Sequence, residues 1–271
     1  MNKRKPRAHL VKQLRHAIKS VKLMVSLMRQ GDGAALHDIR VQARTMSSVL
    51  HPFIELPHMK PVRRCLEPIK SWVRKSNRVR DAEAQLELVA ELLPEPYPKD
   101  VERYLAQAGK HLMQKRALLA QSKSLAKLPR RIKQLAKAVD DCLSQVSSAA
   151  LGGVIAHACE EQLATLRQDC AAGLQGPKES HEIRKRIKQL RYLIEYFHDF
   201  LDKPYADFVA DTKRAQQDLG QLRDWQNLRA AMAEVPVMAS WLAEHGALEA
   251  ELTHRASAAM ALLHRKLAEW V

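Results

Sequence analysis

A pattern that recurs at an offset of 144 residues constrains this chain more than any other feature, because whatever one copy folds into, the other must approximate. The stretch from His37 to Phe53 reads HDIRVQARTMSSVLHPF, and that from His181 to Phe197 reads HEIRKRIKQLRYLIEYF. His37 aligns with His181, Asp38 with Glu182, Ile39 with Ile183 and Arg40 with Arg184. Arg44 then meets Lys188, Leu50 meets Ile194, and Phe53 meets Phe197. Downstream, each copy carries an Arg-Asp dipeptide, Arg80-Asp81 and Arg223-Asp224. The expectation is an all-α fold of two related helical bundles with pseudo-twofold symmetry. The repeats run approximately over 1–125 and 150–271, are joined by a helical segment 126–149, and form a single domain over 1–271.

Hydrophobic spacing supports helices throughout. Val11, Leu14, Ile18, Val21, Val25 and Met28 recur every three or four residues, making one apolar stripe that Gly31-Asp32-Gly33 terminates. The same reading predicts helices over about 34–53, 60–93, 99–122 and from Pro129 to about 147. It continues with a helix opened by Gly152-Gly153 and running to about 173, others over 178–200 and 205–233, and a last one after Pro236. Pro94, Pro96 and Pro98 stop the third. Only 9 glycines and 5% aromatic residues fit this picture, and the dominant Ala, Leu, Lys, Arg, Gln and Glu are strong helix formers. Trp72, Trp225, Trp241 and Trp270 read as core or packing residues.

Charge is unevenly placed. The formal net charge is +15, and the first 80 residues alone hold 19 basic and 4 acidic residues, leaving the remainder balanced. Such asymmetry points to an anionic partner without naming it. Four cysteines without a C-x-x-C pair exclude a disulfide framework and make a reducing cytoplasm the expected location. No run reaches 18 apolar residues, so no membrane span or membrane partner is expected.

The charges fall in rows. On a helical wheel from His181, the residues Arg184, Lys185, Lys188, Arg191 and Tyr192 share a sector with it, opposite Ile183, Ile187, Leu190, Ile194 and Phe197. His37, Arg40, Arg44 and His51 form the matching row in the first copy, and Lys12, Arg15, Lys19 and Lys22 run beside the first apolar stripe. Arg74, Arg78 and Lys213 complete the candidate set. Like charges at i,i+4 repel, and Glu182 and Glu195 offer only partial relief, so an anion that neutralises the row would explain it. Arg offers phosphate a planar fork of donors and Lys a compact charge.

These residues carry a resemblance to a known family. The paired H-x-x-R patterns, the HEIRKRIKQLRYLIEYF run and the two Arg-Asp dipeptides resemble the CHAD family of histidine-containing α-helical domains, over nearly the whole chain. The stretch Lys213 to Asp224, with Gln217, Leu219 and Gly220, fits the same pattern. The resemblance implies two bundles related by a pseudo-twofold axis, inorganic polyphosphate bound in a basic groove or pore, and association with polyphosphate granules and their proteins. By position it carries over His37, Arg40 and Arg44, and then His181, Arg184, Lys185, Lys188, Arg191 and Tyr192. The chain departs from the pattern after Arg44, where Thr45 to Ser48 stand in place of further cations. Lys12, Arg15, Lys19 and Lys22 are expected to compensate.

Other readings stay open at this point. The alternative function is sequence-independent binding of an RNA or DNA backbone, which needs only a basic surface. Against it, aromatic residues do not interleave with the rows. No P-loop, H-E-x-x-H or Cys/His cluster is present, so no catalytic residue, metal or cofactor is expected. The histidines could equally orient the starts of their helices, and the Arg-Asp pairs read as structural.

Overall fold

Proline opens many of the helices, at positions where its missing N–H removes no helical bond. It sits in the first turn of α1 (Pro6–Arg29), α3 (Lys60–Lys75), α7 (Leu128–Leu143) and α11 (Pro236–Glu244). The computed structural model describes residues 5–92, 96–201 and 206–269, and no strand occurs among them. The other helices are α2 (Ala34–Leu50), α4 (Asn77–Leu92), α5 (Lys99–Ala120), α6 (Lys123–Ala126), α8 (Ser148–Ala172), α9 (Pro177–Phe197), α10 (Ala206–Met232) and α12 (Gly246–Glu269). The expected stop at Pro94 and the side chain of Trp270 lie outside the described residues. Among the described residues no single helix is long and apolar enough to cross a membrane.

The predicted glycine-rich stop after α1 is present and does two jobs. Gly31 adopts φ 96°, a left-handed conformation that favours glycine and lets the chain leave α1. Asp32 Oδ1 then accepts from the Ala34 N–H at 2.8 Å and caps α2.

The chain divides into two compact units, each built from separated segments. The first comprises Met1–Arg80, Met113–Ala158 and Tyr196–Asp202. In it α1 packs on α2 and α7, and α3 packs on the same two helices, so the four close a ring. Leu10, Leu14 and Val21 of α1, Leu36 and Ile39 of α2, Leu66, Ile69 and Trp72 of α3, and Ile132 and Leu135 of α7 fill its centre. Each buried aliphatic side chain of this kind contributes about 1.5–3 kcal/mol. The 126–149 segment is therefore chiefly α7, the helix that closes this ring. Phe53 and Phe197 meet edge to face at 5.9 Å, so the two phenylalanines that end the repeated stretch touch each other.

The second unit comprises Asp81–Leu112, Cys159–Glu195 and Lys203–Val271. Here α10 packs on α11 and α12, with Trp225 and Leu219 fully covered. Asp218, almost buried, accepts from Arg255 of α12 at 2.9 Å. On α9, Ile183, Ile187, Leu190, Ile194 and Phe197 are all buried, as the wheel requires.

Several boundaries differ from the sequence reading. The helix expected over 60–93 breaks at Ser76, which is fully buried and donates its hydroxyl to the Val73 carbonyl at 2.8 Å. A serine satisfying its own helix in this way competes with the regular ladder. The start of α8 is Ser148, not Gly152-Gly153, because the Ser147 hydroxyl accepts from the Ala150 N–H at 3.2 Å and caps the helix ahead of the glycines. The helices over 34–53 and 178–200 end at Leu50 and Phe197, and each passes into one 3-10 turn. The last helix is two, α11 and α12, divided at His245.

Candidate anion-binding site

In the second unit the α9 row faces α10, and the structure sorts its members. His181 and Arg184 stand one turn apart. Both are half-buried, and neither His181 Nδ1 nor Arg184 Nε has a hydrogen-bond partner among the described residues. The Arg184 guanidinium lies against Gly220 of α10, where an added Cβ would stand 3.2 Å from Nε and 3.3 Å from Nη2. Glycine is thus what lets the guanidinium approach the helix backbone. Burial, then the nearby Arg223, Lys185 and Arg184 charges, hold the His181 pKa below its ordinary 6.5, with Glu182 opposing. These effects favour the neutral imidazole in the free protein.

Farther along α9 the cations are already engaged. Arg191, only 11% exposed at its side chain, donates Nη1 to Glu195 at 2.9 Å and Nε to Gln216 at 3.2 Å. Its guanidinium carbon sits 4.6 Å from the Tyr192 ring centre and Lys188 Nζ 5.5 Å, within cation–π range. Tyr192 itself is buried, so it supports these two cations rather than facing outward with them. Lys185 pairs with Glu182 at 2.7 Å, and Lys213 lies 4.0 Å from Glu195.

In the first unit the row is less uniform. His37 and His51 are exposed and Arg44 is half-buried. Arg40 is 3% exposed, and its guanidinium is spent on the protein: Nη1 donates to the Val73 carbonyl at 2.9 Å and to the Ser76 hydroxyl, and Nη2 to Asn77 Oδ1 at 3.0 Å. The break at Ser76 presents these acceptors. Arg74 pairs with Glu67 at 2.5 Å and holds that carboxyl below its usual range, while Arg78 is exposed on α4. Neither histidine begins its helix, since α2 and α9 start at Ala34 and Pro177.

Lys12, Arg15, Lys19 and Lys22 are exposed along α1. The first three line a cleft that also receives Lys5, Arg7 and His16. Arg7 and its partner Asp140 were not singled out in the sequence, because nothing there joins α1 to a carboxylate more than a hundred residues away. Arg223 was visible only as half of a dipeptide. Among the described residues no three His, Cys, Asp or Glu side chains cluster as metal ligands would.

Comparison with known proteins agrees with this architecture. The CHAD domain family model matches residues 8–233. The crystal structure of the CHAD domain from the plant Ricinus communis superposes with a TM-score of 0.71 at 18% identity, covering 96% of this chain and 86% of that one. No curated protein matches. With most of its length matched by the family model and the fold shared, the chain belongs to the CHAD domain family.

Proposed function

We propose that this chain binds inorganic polyphosphate and does not catalyse its breakdown. One observation carries the reading: His181 Nδ1 and the Arg184 Nε donor, both unpartnered among the described residues, one turn apart on α9 and within the field of Arg223 and Lys185. A buried donor without an acceptor costs about 1–3 kcal/mol, and a phosphate oxygen supplies the acceptor. Family membership and the surplus charge of the first 80 residues point the same way. On this reading the two bundles descend from one duplicated unit, each row lines a polyphosphate groove, and the protein associates with polyphosphate granules in the cytoplasm.

The rows bind unequally. His181, Arg184, Lys185 and Lys188 are the ligands in the second unit, with Arg191 and Tyr192 holding the face in shape. His37, Arg44, His51 and Arg78 serve in the first, and Arg40 serves structure.

Calorimetric titration with size-defined long-chain polyphosphate tests this, with an RNA homopolymer at matched salt and phosphate concentration. Saturable binding to polyphosphate, at least about tenfold tighter than to RNA, is expected, since compact multivalent charge engages more cations per unit length. Arg184→Ala and Lys188→Ala should each weaken it. Equal or tighter RNA binding would replace polyphosphate with nucleic-acid backbone as the partner.

A further inference from the structure

The cleft beside the first half of α1 has features that a solvated helix face lacks. It encloses about 670 Å³ within the first unit. Lys5, Arg7, Lys12, Arg15 and Lys19 reach into it, and the carboxylate among its lining residues is Asp140 of α7. Arg7 donates both Nε and Nη2 to Asp140 Oδ1, at 2.9 and 2.6 Å, and Arg15 Nη2 lies 3.8 Å from Oδ2. One carboxylate therefore neutralises part of a five-cation cluster, and the uncompensated charges repel.

A helix terminus adds to the same field. Ser148 lines the cleft at the start of α8, a helix whose first turn carries no acidic residue. The positive end of that helix favours an anion. Val11 and Val146 give the cleft an apolar side. Its volume falls within the roughly 300–1,000 Å³ that suits a compact ligand.

We propose that this cleft is a separate site for a compact oligophosphate, a short run of linked phosphates, for which Asp140 is a built-in competitor. The incoming phosphates take Arg7 and Arg15 over from the carboxylate, while Lys5, Lys12 and Lys19 supply charge beside which no second carboxylate lines the cleft among the described residues. Asp140 thereby sets a threshold of charge density: a single phosphate competes poorly with a fixed carboxylate, and several linked phosphates outcompete it. Lys12, Arg15 and Lys19 already belong to the candidate set for polyphosphate, and the assignment gives them, together with Arg7 and Asp140, a ligand distinct from the long chain on α9.

The phosphate run can belong to an inorganic chain or to a nucleotide, and the test separates them. The full chain is titrated at fixed low salt with inorganic tripolyphosphate, with ATP, with orthophosphate and with long-chain polyphosphate. Saturable one-site binding of tripolyphosphate is expected, with orthophosphate at least about tenfold weaker. Asp140→Asn should tighten tripolyphosphate roughly three- to tenfold by freeing the two arginines, and Arg7→Ala should weaken it about tenfold. Lys110→Ala, an exposed cation of α5 that does not line the cleft, should leave it within about twofold. Thermal melts establish that each variant is folded, and Lys12→Ala replaces Arg7→Ala if the latter melts early. ATP binding tighter than tripolyphosphate assigns the apolar wall to a base, and equal binding assigns the site to the phosphate run alone. Failure of tripolyphosphate to saturate, or an Asp140→Asn variant that binds it no better, overturns the proposal. Long-chain binding that persists in that case leaves the polymer reading intact, and its loss alone leaves the cleft standing.

Discussion

Arg40 gives the sharpest test of the site reading, because position in the repeat makes it a ligand and its surroundings make it a clamp. In Arg40→Ala the Val73 carbonyl, the Ser76 hydroxyl and the Asn77 amide each lose a charged donor. Hydrogen bonds to charged groups contribute roughly 1.5–3 kcal/mol each, but Ser76 still donates to Val73 and softens the loss. Adding the buried stem of the side chain, a net destabilisation of about 3 kcal/mol follows. In a unit of this size that corresponds to a drop of about 6–12 °C in Tm. Lys12→Ala, on the exposed side of α1, is the control and should stay within about 0.5 kcal/mol. The assay is scanning calorimetry of both variants, followed by polyphosphate titration well below the lower transition. Long-chain affinity should change by less than about threefold in Arg40→Ala. A Tm within about 2 °C of wild type, coupled to a tenfold or greater loss of affinity, would refute the clamp and return Arg40 to the ligands.

Other measurements follow from the geometry. His181 binds its proton less readily folded than unfolded, so its contribution to stability is complete above pH 6.5 and is lost as pH falls below that value. Melts between pH 8 and 5 should show His181→Gln losing less stability in acid than wild type, and an unchanged slope would contradict the assignment. Polyphosphate acts in the opposite direction by favouring the imidazolium, so binding below pH 7 should take up protons, detectable as a buffer-dependent heat. Gly220→Ala should raise helix stability by up to about 1 kcal/mol yet weaken polyphosphate binding, because the new methyl pushes on the Arg184 guanidinium; equal affinity would show that Arg184 is not a ligand. Thiol labelling should reach Cys65 and Cys142 before Cys159 and Cys170, since the latter pair are buried and burial with Asp169 pushes the Cys170 pKa up to about 12.

The helical character and the core faces of α1 and α9 were legible because period and burial are the same information there. Leu14, Val21, Ile187 and Leu190 are apolar at the right spacing, and all are buried. Arg40 was misplaced because a wheel places a side chain on a sector but not inside or outside a bundle. What buries it is the break at Ser76, which a strong helical pattern over 60–93 concealed. Tyr192 was grouped with the cations for the same reason, and its burial beneath Lys188 and Arg191 depends on α10 packing alongside. The start of α8 escaped notice because a Gly-Gly pair reads as a breaker, while one serine hydroxyl three residues ahead of Ala150 was enough to begin the helix earlier. The Arg7–Asp140 contact joins residues 133 apart, and no local pattern reports a contact of that range.

Ring closure by α7 has a consequence for how the chain is made. The helices α1, α2 and α3 are complete at Lys75, but the helix that covers α1 and α3 begins only at Leu128. At a synthesis rate of about 5–20 residues per second, the nascent chain carries an open apolar valley for several seconds before its cover emerges. Val21, Leu66 and Ile69 are among the residues without their final neighbours in that interval. Residues 1–80, which include this half-ring, hold 19 basic and 4 acidic residues, and like charge makes nascent copies repel one another. The cation surplus of the first 80 residues thus acts first as like-charge repulsion between nascent chains, before any folded binding face exists.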